Sequence, residues 1–256
     1  MIEIDLRFKG LRVNLKSHGK AIATDVYKRY HPTSINPKAE ICVFCSSSCD
    51  ITKEHVLPKW LIESELHNTM TSSVNMQMAT YNKAVVPACS ICNNSILAYI
   101  ENHIIKVIET IDTLNSSGDE DLCNIIRWME VIDYKLQVLD CRRKYIKYGN
   151  SEYDRLWGIF PVAMMRHFSE MNPWIAYDWL RNSQRRITVK AKIVGINSLV
   201  ILKTRVRHFD FFTQPNEYIY ISFPMYNVSL FYFIKKRYDD YENAAAEALR
   251  IIKQVS

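Results

Sequence analysis

The sequence has little that would mark a membrane, secreted or disordered protein. It contains only six glycines and eight prolines in 256 residues, so long flexible linkers are not expected. No run approaches the eighteen or more apolar residues that cross a bilayer. The best stretch, "VSLFYFI" at 228–234, ends in Lys235, Lys236 and Arg237 and has the length of a strand. The opening "MIEIDLRFKGLRVNLKSHG" lacks the uninterrupted apolar core of a signal peptide. The expectation is a cytoplasmic protein with no membrane partner. There is no Walker motif, so ATP hydrolysis by this chain is not expected. The charge balance is also mild: 33 Lys and Arg against 27 Asp and Glu give a net +6, which suits a polyanionic partner without requiring one.

What the chain does have is a pattern of cysteines. The total is seven, an odd number in a protein too large to need disulfide support. Cys42 and Cys45 form one C-x-x-C pair, and Cys89 and Cys92 another. Four thiolates at these spacings suit tetrahedral Zn²⁺. Each pair makes a small knuckle, and the segment of more than forty residues between them becomes a loop closed at its base by the metal. With four sulfur ligands the ion has no open position, so it is expected to be structural, and hydrolysis would need a second centre. Cys49, Cys123 and Cys141 remain, the last two expected to be reduced and packed against apolar neighbours.

Periodicity divides the rest of the chain. Residues 1–39 read as an N-terminal hairpin, "MIEIDLRF" and "LRVNL" about Lys-Gly, with a short helix at 19–30 as lead-in. Residues 40–115 carry the cysteine module and end in a helix marked by Leu97, Ile100, Ile104, Val107, Ile108 and Ile111. Residues 116–256 read as an accessory domain. A long helix starting at Ser117 or Asp119 is followed by strand-like runs "RITVKAKIV", "SLVILKTRV", "EYIYISF" and "VSLFYFIKK", then a helix from Asp240 to Val255. The fold class is α+β, a zinc-bearing module joined to helices and a mostly antiparallel C-terminal sheet. The many aromatic side chains of that sheet fit core packing better than base stacking.

Between the cysteine pairs stands "ITKEHVLPKW". His55 can take a proton from water near neutral pH. Glu54 offers a hard oxygen to Mg²⁺ or Mn²⁺, and Asn93, directly after Cys92, offers an amide oxygen. The zinc knuckle is expected to bring Asn93 to the strand bearing Glu54 and His55. Adjacent side chains on a regular strand point to opposite faces, so joint action of Glu54 and His55 requires a bend, for which Pro58 is the nearest cue.

C-x-x-C, "KEHVLPKW" and "CSICNN", taken together over about residues 40–102, resemble the zinc-containing HNH endonucleases and especially their Glu-His-Val-x-Pro branch. The resemblance implies a ββα-metal module that hydrolyses phosphodiester bonds with a catalytic Mg²⁺ or Mn²⁺ beside the structural Zn²⁺. It makes His55 the base, and Glu54 and Asn93 the ligands of the catalytic ion. Asn82, Asn94 and Glu101 become supporting residues; Glu101 stands roughly 12 Å along the helix from Asn93. The chain departs from the family pattern at Ala84, where an asparagine is usual and Asn82 is the nearest substitute. Relatives of this kind occur in bacterial antiviral defence and mobile elements, sometimes beside an ATPase, so an ATPase or other defence protein becomes an expected partner, and the C-terminal sheet offers a surface for a second copy of the chain.

Nucleic acid, DNA ahead of RNA, is the expected substrate. Lys53 and Lys59 flank the centre, and "CRRKYIKY" adds Arg142, Arg143 and Lys144 as phosphate contacts. "RNSQRR" with Lys190 and Lys192, and Lys203 to His208, are further basic stretches. The alternative is a zinc-stabilised nucleic-acid-binding or scaffold protein without nuclease activity.

Overall fold

A computed structural model describes residues 2–34, 39–62, 69–71, 78–111, 118–143, 158–165, 173–189, 197–205 and 208–255. The first element is one helix, α1 (Ile2–Tyr30), and not a hairpin. Ile4, Phe8, Leu11, Leu15, Ile22 and Val26 are buried and recur at steps of three, four and seven, which is one stripe of a 3.6-residue period. Over residues 2–8 that period and strand alternation coincide, because a step of four is even, and only the odd steps, Phe8 to Leu11 and Leu15 to Ile22, separate them. Gly10 causes no break. A Cβ there would meet only Ile96 Cδ1, at 3.8 Å.

The elements that follow are β1 (Ile51–His55), α2 (Lys59–Ile62), β2 (Thr69–Thr71), β3 (Met78–Thr80) and β4 (Val85–Cys89). A π-helical turn (Ile91–Leu97) then runs directly into α3 (Ala98–Thr110). After α4 (Asp119–Arg142) come α5 (Val162–Met165), α6 (Pro173–Thr188), β5 (Leu199–Lys203), β6 (Phe211–Gln214), β7 (Tyr218–Phe223), β8 (Val228–Phe233) and α7 (Tyr241–Val255). The mixture is α+β. Arg186 to Thr188, expected to begin a strand, instead close α6, where Leu180, Ser183, Gln184 and Ile187 form its buried face at helical spacing. The rest of that expected strand, 190–194, lies outside the described residues. Among the described residues no helix is long and apolar enough to cross a membrane.

Two compact units are formed from discontinuous stretches, residues 1–99 with 134–188 and residues 100–133 with 189–256. In the first, β1 and β4 pair antiparallel, with Ile51 opposite Cys89 and His55 opposite Val85. α6 packs along α1, and Gly19 marks the close approach. A Cβ there would lie 3.1 Å from Arg181 Nη1 and 3.3 Å from Gln184 Oε1.

The second unit contains a four-stranded antiparallel sheet in the order β5-β8-β7-β6. Val200, Tyr220, Phe231 and Phe233 pack with Ala244 and Ala248 of α7. Phe212 stacks on Tyr220 with ring centroids 4.5 Å apart, so these rings fill a core, as their density in the sequence suggests. Asp240 caps α7 by accepting from Asn243 N at 2.8 Å.

α4 crosses from the second unit into the first. From Leu122 to Cys141 every one of its residues is buried, the charged Arg127, Glu130, Asp133, Lys135 and Asp140 included. Leu97, Ile100, Ile104, Val107, Ile108 and Ile111 are all buried as their spacing predicts.

Candidate metal centre and adjoining cleft

Cys42 and Cys45 occupy a tight turn before β1. Ser46 N donates to Cys42 O at 2.9 Å, and Ser46 has φ of 62°, a left-handed residue of the kind that closes a short turn. Val43 N donates to Pro87 O at 3.0 Å, which ties this turn to β4. Cys89 ends β4 and Cys92 lies in the π-helical turn. The four sulfurs thus come together, all within 4.8 Å of one another, with Cys45 Sγ 3.6 Å from Cys89 Sγ. A tetrahedral zinc with Zn–S of about 2.3 Å sets its sulfurs about 3.8 Å apart, so the cluster fits.

The backbone is also arranged for thiolates. Phe44 N donates to Cys42 Sγ at 3.4 Å and Cys92 N to Cys89 Sγ at 3.5 Å. A hydrogen bond from the Cys92 thiol, helped by the backbone amides of Cys89, Phe44 and Cys45, pulls Cys42 down to about 5, while burial pushes Cys45 up to about 11. The chain therefore has a cluster able to hold a structural Zn²⁺. Cys123 and Cys141 are buried free thiols, and Cys49 is exposed.

β1 is regular, and the expected bend is absent. Its alternation sends Lys53 and His55 to one face and Thr52 and Glu54 to the other. Glu54 is buried against α4, where Lys135 Nζ reaches Glu54 Oε1 at 2.7 Å and His55 O at 2.8 Å. The Lys135 side chain is 1% exposed and that of Glu54 9%. Asn93 is anchored on the Glu54 side of the strand, its Nδ2 donating to Thr52 Oγ1 at 2.8 Å. Thr52 Oγ1 in turn donates to Ala88 O at 2.9 Å. The second cysteine knuckle does bring Asn93 to β1, but Glu54, His55 and Asn93 do not face one cleft. The physical reason is the lysine, which turns the carboxylate into an internal ion pair.

His55 instead opens onto a concavity of about 390 Å³ lined by Lys53, Asn82, Lys83 and Val85. His55 Nε2 lies 3.4 Å from Asn82 Oδ1. Burial pushes the imidazole below the ordinary histidine range, against the opposing pull of Asn82. Ala84, at the position where the resemblance leads one to expect an asparagine, acts through its backbone. Its carbonyl accepts from Val56 N at 2.8 Å, one residue past His55.

The other expected site residues are dispersed. Lys59 and Asn94 are exposed, and Glu101 is partly exposed on α3 in the second unit. Arg142 is committed to the fold, paired with Glu40 and lying over the Tyr30 ring at 5.5 Å. Arg143 is half-buried, which lowers its pKa. Lys144, Lys190, Lys192 and Arg207 lie outside the described residues.

Two residues were not singled out from sequence, and both hold the site. Tyr134 is fully buried on α4. Its hydroxyl donates to Val43 O inside the first cysteine turn and accepts from Gln184 Nε2 at 3.3 Å. Its ring meets Phe44 edge-on at 5.8 Å. Lys135, the next residue, fastens β1. The available signal was "VIDYKLQVLD", which sets a lysine within a helix whose neighbours are apolar.

No protein-family model matches the sequence, and comparisons with curated proteins and with solved structures likewise find no match.

Proposed function

We propose that this chain is a zinc-stabilised nucleic-acid-binding protein whose cleft beside β1 engages a phosphate of the backbone. The observation that carries the reading is the chemistry of the cleft wall. Lys53, Lys83, His55 and Asn82 supply ammonium, imidazole and amide groups, and among the described residues no carboxylate lines it. The one carboxylate of β1, Glu54, is turned inward and neutralised by Lys135. Removing the negative group from a wall that keeps its cations leaves a site complementary to a phosphate. The cysteine cluster, with zinc bound, would stiffen the strand pair from which three of the lining residues project.

Direct titration tests this. Zinc-loaded protein should bind labelled DNA or RNA with an affinity that falls as salt rises. Lys53→Glu with Lys83→Glu should weaken binding about tenfold or more and flatten the salt dependence. Unchanged binding in that variant would remove the cleft from the interface.

A second reading, a metal-dependent endonuclease of HNH type, is favoured by one arrangement. His55 stands solvent-accessible at the end of β1, which pairs with β4, beside an asparagine carbonyl that can hold one ring nitrogen as its donor. The other nitrogen then keeps a lone pair for water. Glu54 does not serve this reading while Lys135 holds it. Incubation with supercoiled and single-stranded DNA in Mg²⁺, Mn²⁺ or EDTA decides between the two. Cleavage lost in His55→Ala at unchanged zinc content supports the endonuclease, and binding without cleavage supports the first reading.

A further inference from the structure

A second surface of the first unit has features that the cleft lacks. α1 carries seven basic against three acidic side chains. A groove of about 700 Å³ runs along its C-terminal half, lined among others by Ser17, Lys20, Thr24, Lys28 and Ser34. Asp25, the one acidic residue among the described residues of that wall, is neutralised by Arg29, whose Nη2 donates to it at 2.8 Å. Lys20 and Lys28 are exposed and stand about 12 Å apart along the helix. The Thr24 hydroxyl between them, and those of Ser17 and Ser34 beyond them, can donate to phosphate oxygens.

The same end of α1 carries an aromatic group. Tyr27 stacks on Trp174 of α6 with centroids 5.9 Å apart and planes 13° from parallel. Tyr177 closes edge-on against Tyr27, and His31 packs beside it at 5.5 Å. Trp174 is nonetheless 64% exposed, so much of a ring held in place by its neighbours faces solvent. Among the described residues Asp178, one turn along α6, is the exposed acidic residue nearest in sequence. An exposed indole is thus held against Tyr27, the residue before Lys28, and its π-surface can receive a base only where bases are unstacked.

We propose that the α1–α6 ridge is a binding track for single-stranded nucleic acid, with Lys20 and Lys28 meeting phosphates and Trp174 stacking on a base. The inference rests on the nucleic-acid-binding reading above and names the strand class and a contact surface apart from the cleft.

The test uses full-length, zinc-loaded protein with a labelled oligothymidylate, a labelled oligouridylate and a hairpin duplex. Wild type should prefer the single strands. Trp174→Ala should weaken single-strand binding about tenfold, as loss of one base–aromatic stack does, without changing the salt slope, and Trp174→Phe should recover most of it. Lys20→Gln with Lys28→Gln should reduce the slope of log affinity against log salt by about 1.4 for two lost phosphate contacts. Circular dichroism and zinc content should be unchanged in all of them.

Wild-type affinity in both the Trp174 and the lysine variants, or preference for the duplex, overturns the track and leaves the cleft reading standing. A wild-type protein that binds none of the three probes overturns both.

Discussion

Lys135→Met is the most informative single change. Its Nζ lies 2.7 Å from Glu54 Oε1 and 2.8 Å from His55 O, in a site where the two side chains are 1% and 9% exposed. Methionine fills similar volume but leaves a carboxylate and a carbonyl without a donor. Breaking a buried pair from one side costs about 3–5 kcal/mol, and at about 2–4 °C per kcal/mol for 150–250 residues the melting temperature should drop by about 6–20 °C.

Adding Glu54→Gln removes the stranded charge, so the double variant should be more stable than Lys135→Met alone. The assay is thermal unfolding of zinc-loaded protein, followed both by near-ultraviolet circular dichroism and by zinc release to a chromogenic chelator. Both probes should shift, because Lys135 fastens the strand whose first residue, Ile51, lies opposite Cys89. An unchanged melting temperature in Lys135→Met would refute the argument. So would a Glu54→Gln protein of full stability that had lost Mg²⁺-dependent cleavage, since Glu54 would then serve the cleft and not the core.

Four other outcomes rest on the same geometry. The purified chain should carry one zinc, and Cys89→Ser should lose it together with cooperative unfolding. Because the thiols must release protons to bind zinc, affinity measured by competition with a chelator should fall as pH drops. The His55 ring, followed by NMR, should titrate below the ordinary value of about 6.5. Its contribution to stability is complete above the unfolded-state value and is lost as pH falls through the folded one, so His55→Gln should lose less stability on acidification. Tyr134→Phe leaves Val43 O without its hydroxyl donor and should cost about 1–3 kcal/mol in urea unfolding.

Several features were legible in the sequence because local rules govern them. The two C-x-x-C spacings carry the information for a four-sulfur cluster, since each knuckle is made within four residues. The stripe from Leu97 to Ile111 marks a helix face, and the β-branched and aromatic runs mark three of the four strands of the second unit, because periodicity reports which side is buried. α1 was misread where two periods overlap over its first turns, and the end of α6 where a β-branched run closes a helix.

The candidate site was legible only in part. The proximity of Asn93 to β1 follows from the zinc knuckle, and that of Asn82 to His55 was suggested by the family resemblance. The direction of Glu54 follows from neither. It depends on Lys135, eighty-one residues away, whose ammonium can approach the strand only because α4 is buried against it. The tertiary structure decided that this carboxylate belongs to the core. A buried charge takes the nearest opposite charge that packing supplies, and no local spacing in the chain encodes which one that is.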